Sequence, residues 1–159
     1  MSDSQAAASA TPLRIPALGR LYDGLWDFAH GALRIVLGAL LVPHGMQKLF
    51  GAFGGMGFEK NAALFDKIGY TPGVFWGTLV GCTELIAGTL LVVGLFARPA
   101  AFAIVIFMLN AVYFTSKNGG FFWTKVGSEY SILILVTALF VLIRGAGPWS
   151  ADRTIGREF

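Results

Sequence analysis

The chain has 159 residues, of which 55% are hydrophobic and 13% charged, which is typical of a polytopic membrane protein rather than a soluble domain. The formal net charge of +3 is spread along the chain without a Lys/Arg cluster, which argues against a nucleic-acid partner. The single cysteine, Cys82, excludes an internal disulfide and a CxxC redox or zinc motif.

Residues 1–28 are predicted to form a mobile tail followed by an interfacial helix. The first dozen residues are small and polar, and the region has neither the apolar core nor the cleavage pattern of a removable signal peptide. The apolar residues that share one helical face after Pro16 are Leu18, Leu21, Tyr22, Leu25 and Phe28. This spacing favours a helix that lies on the membrane surface.

Four apolar segments follow, each close to the ~20 residues that a membrane-spanning helix needs. They cover residues 30–50, 73–96, 98–116 and 126–144. We therefore predict an all-α fold, an integral membrane four-helix bundle with short interfacial helices over residues 29–146, and a C-terminal tail over residues 147–159. Four spans place both termini on one side, and the slight excess of basic residues there favours the cytoplasm.

Small and charged residues share one face of each of the first two predicted spans. In the first span this face carries Gly31, Arg34, Gly38, Leu41, Gly45 and Lys48. In the second span it carries Gly77, Gly81, Glu84, Gly88, Leu91 and Leu95. Glycine faces let two helices approach closely, so the charged residues on them are expected to face protein rather than lipid. Further glycines, such as Gly94, permit a homo-oligomer without requiring one.

Glu84 is the only charged residue between Lys67 and Arg98, and a carboxylate at mid-membrane is costly unless it is protonated or partnered. With a rise of about 1.5 Å per residue, four residues come to a similar depth, with Gln47 and Lys48 close by. They are His44, Glu84, Asn110 and Glu129. This layer predicts a small polar pocket in the half of the bundle away from the termini.

His44 and Lys48 are one helical turn apart and can pair with the carboxylates of Glu84 and Glu129. A histidine beside carboxylates is suited to proton transfer, and Pro43 is expected to kink the helix just before it. Two other interpretations stay open. Glu84 can form a buried pair that only fixes helix register, and Glu129 can simply favour a helix N-terminus.

The absence of other motifs limits the chemistry. The two histidines lie ~21 Å apart on one helix, which argues against haem, and no metal spacing or nucleotide loop is present. We therefore expect no metal and no tightly bound cofactor, with a quinone or a soluble redox enzyme partner as the source of electrons. The candidate catalytic residues are His44, Glu84 and Glu129. The candidate quinone-binding residues are Arg34, Gln47, Lys48, Asn110 and Tyr113.

Three of these binding candidates have an alternative role. Arg34 lies near the terminal edge of its span, where its side chain can reach the lipid headgroups. Asn110 can act as a hydrogen-bonding contact between helices. Tyr113 can anchor the chain at the membrane interface.

Several motifs in order resemble the DoxX family of small four-helix bacterial membrane proteins. They are RIVLG at 34–38, HGMQK at 44–48, ELIAGTLLVVGLFARPAA at 84–101, the GFF and GSE elements near 120 and 127, and GAGPWSAD ending at 152. The resemblance implies a bacterial inner (plasma) membrane location and a link to redox chemistry. Family members are associated with thiosulfate:quinone oxidoreductase, with hydroquinone or catechol resistance, and with a membrane complex of superoxide dismutase and a thiol-transferring enzyme.

The family motifs correspond to residues that depth and helix face also select. They fall on Arg34, His44, Lys48, Glu84 and Glu129. The family's terminal S-x-D corresponds to Ser150 and Asp152, which are expected to cap the end of the bundle.

Three functions follow from the sequence. The first is a quinone-linked oxidoreductase, or a membrane subunit of one, with a polar intramembrane pocket. The second is a non-catalytic membrane scaffold that recruits soluble redox enzymes. The third is a small-solute or proton transporter, which an intramembrane carboxylate allows.

Overall fold

The computed structural model describes Ile15 and residues 17–157, and these residues contain α-helices but no β-strand. The helices are α1 (Ala17–Phe50), α2 (Gly57–Lys67), α3 (Gly73–Val93), α4 (Ala97–Gly119), α5 (Glu129–Arg144) and α6 (Ala151–Ile155). Short 3₁₀ turns lie at Ala52–Gly54 and Trp123–Lys125. The tail predicted over the first dozen residues lies outside the described part of the chain.

Within the described residues, three helices are long and apolar enough to cross a membrane, namely α1, α3 and α4. The predicted all-α membrane fold is therefore confirmed. The fourth predicted span is shorter than expected, because α5 has 16 residues. At about 1.5 Å per residue it is ~24 Å long, less than the ~30 Å hydrocarbon core. Its start moves from residue 126 to Glu129 because Val126 adopts a left-handed conformation, with φ of 61°, at the end of the 3₁₀ turn.

Helix α1 runs unbroken through the boundary predicted at residue 28. It contains 34 residues, which corresponds to ~51 Å and exceeds the thickness of the hydrocarbon core. The segment predicted to be a separate surface helix is therefore the first third of α1. Its apolar side chains, such as Leu21 and Leu25, are exposed in the isolated chain.

The glycine faces of α1 and α3 pack directly against each other, so both faces contact protein, as predicted. A Cβ atom on Gly45 would lie 2.6 Å from the backbone nitrogen of Leu85 and 2.8 Å from the carbonyl oxygen of Gly81. About two turns earlier, Gly38 meets the backbone of Gly88 in the same way. Close backbone contact of this kind is possible only where no side chain separates the helices.

The apolar core lies where α1, α3, α4 and α5 meet. Its fully buried members include Leu41, Leu91, Ile104, Ala138 and Val141. Helix α2 packs on the outer side of α3, where the Asn61 amide donates a 3.1 Å hydrogen bond to the carbonyl of Gly77. These contacts place α3 against α1, α2 and α4.

The C-terminal segment closes one end of the bundle, as the S-x-D motif predicted. The Asp152 carboxylate accepts hydrogen bonds from the backbone N–H groups of Phe96 and Ala97, at 2.9 and 3.0 Å, at the start of α4. Ser150 caps α6 by accepting the N–H of Arg153. Because a carboxylate at a helix N-terminus satisfies free donors and favours the helix dipole, Asp152 ties the tail to α4.

Candidate functional site

A partly buried ion pair joins the first two spans. Lys48 on α1 donates to both carboxylate oxygens of Glu84 on α3, with Nζ to oxygen distances of 2.8 and 2.6 Å. The Glu84 side chain is 5% exposed and that of Lys48 is 28% exposed. Of the partners that the sequence allowed for Glu84, Lys48 makes the contact, because both residues continue the glycine faces that bring α1 and α3 together.

Glu84 lies in a π-helical turn within α3, from Thr83 to Ala87. Such a turn inserts an extra residue into the helix and shifts the faces on which side chains lie. Here Glu84 points inward to Lys48, whereas the adjacent Thr83 lines a cavity on the other side of α3. Single π turns are frequent at functional sites, and this one lies at the only charged residue of α3.

Two aromatic side chains border the ion pair. The His44 ring, one turn before Lys48, lies 6.3 Å from the Tyr130 ring on α5, centroid to centroid. Tyr130 is also close enough to interact electrostatically with Glu84. Tyr130 is not among the site residues predicted from the sequence. The spacing of the sequence could have indicated it. Tyr130 lies at helical spacing before Ile134, Ala138 and Val141, which are the buried residues of α5.

The remaining predicted site residues do not contact the Lys48–Glu84 pair in the structure. Glu129 accepts a 3.3 Å hydrogen bond from the backbone N–H of Trp123, so it stabilises the loop before α5. The Gln47 amide donates to the carbonyl of Phe53 at 3.5 Å. The Tyr113 ring is 66% exposed, with the Lys117 ammonium 5.9 Å from its centre.

Arg34 is fully buried, with 0% exposure, so it does not extend to the headgroups. Its guanidinium donates to the carbonyls of Leu91 and Val92, near the end of α3, and to that of Trp149. The last carbonyls of a helix have no partner within the helix, and Arg34 supplies one. Arg34 therefore joins α1, α3 and the C-terminal segment, about four turns of α1 before Lys48.

A second candidate site is an apolar cavity of about 520 Å³ between α2, α3 and α4. Asn110 lies in this cavity, where its side-chain oxygen accepts a 2.6 Å hydrogen bond from the Tyr70 hydroxyl. The aromatic residues that line it are Phe65, Tyr70, Trp76, Phe102, Phe107 and Phe114. The layer predicted from depth is thus divided: Glu84 and Lys48 lie on one side of α3, and Asn110 lies on the other.

The described residues contain no group of three or more His, Cys, Asp or Glu side chains that could hold a metal ion.

Comparison with known proteins connects this architecture to a family. The model of the DoxX family matches residues 29–117. The chain belongs to the DoxX family. A relative, an uncharacterized membrane protein of Mycobacterium tuberculosis, is 28% identical over 136 residues that cover 79% of this chain and 80% of the relative. An uncharacterized protein of Haemophilus influenzae is 31% identical over 123 residues, covering 76% and 85% of the two chains. No solved structure matches this chain.

The DoxX match covers most of α1 and all of α2, α3 and most of α4. It therefore includes Lys48, Glu84 and the whole lining of the apolar cavity. Tyr130 and Glu129 lie beyond its end. Membership of the family shows that this is an integral membrane protein. A more specific function has to be inferred from the two candidate sites.

Proposed function

We propose that this DoxX-family protein binds a quinone in the cavity between α2, α3 and α4, and that it acts as a quinone-linked oxidoreductase or as a membrane subunit of one. The observation that carries the proposal is the cavity itself. Its volume of about 520 Å³ falls within the range of small-molecule sites. Its aromatic walls suit a flat, lipid-soluble ring, since aromatic groups pack favourably edge-to-face or offset.

The polar groups of the cavity suit a quinone oxygen. Asn110 uses its side-chain oxygen to accept the Tyr70 hydroxyl, and its NH₂ group has no protein acceptor within the described part of the chain. This group can donate to a carbonyl oxygen of a bound ring. Ligand sites commonly combine apolar walls with one or a few polar groups that set orientation. Tyr70 then acts by holding the Asn110 amide in place.

Reduction of a quinone to a quinol takes two electrons and two protons. The electrons in this proposal come from a soluble redox enzyme partner, because the chain's own side chains offer no electron carrier. His44 and Glu84 stay candidate proton carriers, now with Tyr130 beside them in place of Glu129. The π turn connects the two sites, since Thr83 lines the cavity and the next residue, Glu84, bonds Lys48.

Quinone binding can be measured through Trp76, which lines the cavity. Decylubiquinone titrated into the purified protein in nanodiscs should quench tryptophan fluorescence with a saturable component. Trp76→Phe should remove that component. Asn110→Leu should weaken binding about fivefold, the equivalent of one hydrogen bond of about 1 kcal/mol. Tyr113→Phe is the matched control, because Tyr113 lies on the same helix but outside the cavity.

The quinone proposal fails if the quenching rises without saturation, or if Trp76→Phe and the unmodified protein respond identically. Either result would mean that the quinone dissolves in the lipid without occupying the cavity. An intact thermal transition for each variant would confirm that the comparison is made between folded proteins.

A non-catalytic scaffold is the second candidate, and the ion pair favours it. Both oxygens of Glu84 are bonded by Lys48, which is what a purely structural pair requires. In that case the decylubiquinone titration should show no saturable quenching of tryptophan fluorescence. Replacing the exposed loop residues Phe121, Phe122 and Trp123 by alanine should reduce the co-sedimentation of a soluble dehydrogenase, dismutase or sulfurtransferase with the reconstituted protein.

A further inference from the structure

Three arginines gather around a pocket at the end of the bundle that holds the C-terminal segment. The pocket has a volume of about 360 Å³ and lies between the end of α5 and helix α6. Arg144 contributes from the last turn of α5, and Arg153 and Arg157 contribute from α6 and the residues after it. Gly147 and Gly156 line the same pocket without side chains, which leaves room between the guanidinium groups.

The positive charge of this pocket is not neutralised by the described residues. No carboxylate among them lies within ion-pairing distance of Arg144, Arg153 or Arg157. Asp152 borders the pocket, but it is 1% exposed and its two oxygens are bonded to the N–H groups of Phe96 and Ala97. An approaching anion therefore meets guanidinium groups rather than the Asp152 carboxylate.

The pocket lies at the level where the spans end. Close to it, the His30 ring on α1 bonds the carbonyl of Gly145 at 3.1 Å, directly after α5. The backbone N–H of Asp152 bonds the carbonyl of Gly94, between α3 and α4. The ends of α3 and α5 and the start of α4 are thus at one height, which in a membrane is the boundary of the hydrocarbon core.

Two tryptophans support this position. Trp26 and Trp149 are 50% and 55% exposed, and tryptophan is enriched at membrane–water interfaces. The Arg144 guanidinium lies 5.3 Å from the centre of the Trp26 ring, and Phe28 packs edge-to-face on Trp149. The arginine pocket therefore opens at the depth of the lipid headgroups.

From these observations we infer that the pocket of Arg144, Arg153 and Arg157 binds the phosphate group of an anionic phospholipid. Guanidinium groups form paired hydrogen bonds with phosphate oxygens, and basic pockets at the ends of membrane helices bind lipid headgroups. Inorganic phosphate offers the same oxygens but has no acyl chains. The headgroup depth and the neighbouring tryptophans favour the lipid.

The test uses the full-length protein in a neutral detergent and two variants with equal loss of charge. Arg153→Gln/Arg157→Gln removes two pocket arginines and leaves Arg144 on Trp26. Lys60→Gln/Lys117→Gln removes two exposed lysines that lie outside the pocket. Each protein is titrated with phosphatidylglycerol, phosphatidylcholine or inorganic phosphate, and the thermal unfolding midpoint is recorded. Native mass spectrometry counts the lipids that remain bound, so the test does not depend on stability alone.

Phosphatidylglycerol should raise the unfolding midpoint of the unmodified protein and of the lysine variant, and phosphatidylcholine should not. In the arginine variant its apparent affinity should fall about thirty-fold, since each basic residue at an anionic surface contributes roughly one factor of five to six. Equal losses in the two variants would overturn the inference in favour of a general charge effect. A response to inorganic phosphate that phosphatidylglycerol does not reproduce would overturn the lipid assignment.

Discussion

The two partners of the Lys48–Glu84 pair should contribute unequally to stability when each is removed alone. Lys48→Met leaves the Glu84 carboxylate in the core, 5% exposed, with no other hydrogen-bond donor among the described residues. Glu84→Gln leaves Lys48, which is 28% exposed and whose long side chain can turn toward water or headgroups. We therefore expect Lys48→Met to be the more damaging change.

The magnitudes follow from burial. Breaking a buried pair and leaving one charge without a partner costs about 3 to 5 kcal/mol, and this range applies to Lys48→Met. Glu84→Gln loses charge-assisted hydrogen bonds worth about 1.5 to 3 kcal/mol, without stranding a charge in the core. Replacing both residues, as in Lys48→Met/Glu84→Leu, should return the stability to within about 1 kcal/mol of the unmodified protein.

Reversible unfolding in mixed micelles, with helix content followed by circular dichroism as the fraction of SDS rises, measures these free energies. The double variant completes a thermodynamic cycle that isolates the coupling between the two residues. Lys117→Met is the matched control, because it removes an exposed lysine that forms no ion pair within the described residues. Its effect on the free energy of unfolding should be within about 0.5 kcal/mol.

If Glu84→Gln lowers the free energy of unfolding as much as Lys48→Met does, the burial difference between the two side chains does not control stability, and the predicted inequality is wrong. The predicted coupling is wrong if the double variant loses the sum of the two single losses. Additivity would mean that Lys48 and Glu84 do not interact, despite distances of 2.6 and 2.8 Å between them.

Two further predictions concern the packing that holds the sites in place. Gly45→Ala should lower the free energy of unfolding by about 1 to 3 kcal/mol, because its methyl group meets the backbone of Leu85. Gly24→Ala, with no atom within 4 Å, should not lower it in the same micelle assay and should raise it by up to about 1 kcal/mol, because alanine has the higher helix propensity. Asp152→Asn should speed hydrogen exchange at the amides of Phe96 and Ala97, because these amides lose a charged acceptor. Asp27→Asn, at an exposed position, should leave exchange at these two amides unchanged. Protection that survives in Asp152→Asn would contradict the capping role.

Local pattern was sufficient to predict which faces of α1 and α3 contact protein. Glycines at three and four residue steps mark one face of a helix, and a glycine face can only be buried against a close neighbour. The same pattern carried Lys48 and Glu84, so the contact of these two side chains with protein followed from sequence. The sequence left His44 and Lys48 as alternative partners for Glu84. The close packing of the facing glycines brings Lys48 into contact with Glu84.

The N-terminal boundary and the start of α5 were less predictable. Nothing in the sequence at residue 28 forces a helix to continue, and the structure extends α1 straight through it. The start of α5 depends on hydrogen bonds across the preceding loop, such as that from the N–H of Glu129 to the carbonyl of Phe121. These bonds place Glu129 in the first turn of α5 and bring Tyr130 beside His44.

The position of Asn110 also required the structure. Helix α4 is apolar on nearly all sides, so periodicity does not reveal which side faces the bundle. Depth alone placed Asn110 level with Glu84, but depth carries no information about direction around a helix. Its contact with Tyr70 depends on the connection between α2 and α3, which brings that hydroxyl over the cavity.

The sequence by itself determined that this is a helical membrane protein with a buried charge, because hydrophobic length and helical periodicity are local properties of the chain. Only the tertiary structure decided what each polar group does. Arg34 bonds carbonyls at the end of α3, Glu84 bonds Lys48, and Asn110 faces an aromatic cavity. A buried polar group takes the partner that packing brings within hydrogen-bonding distance, and packing is set by the whole bundle.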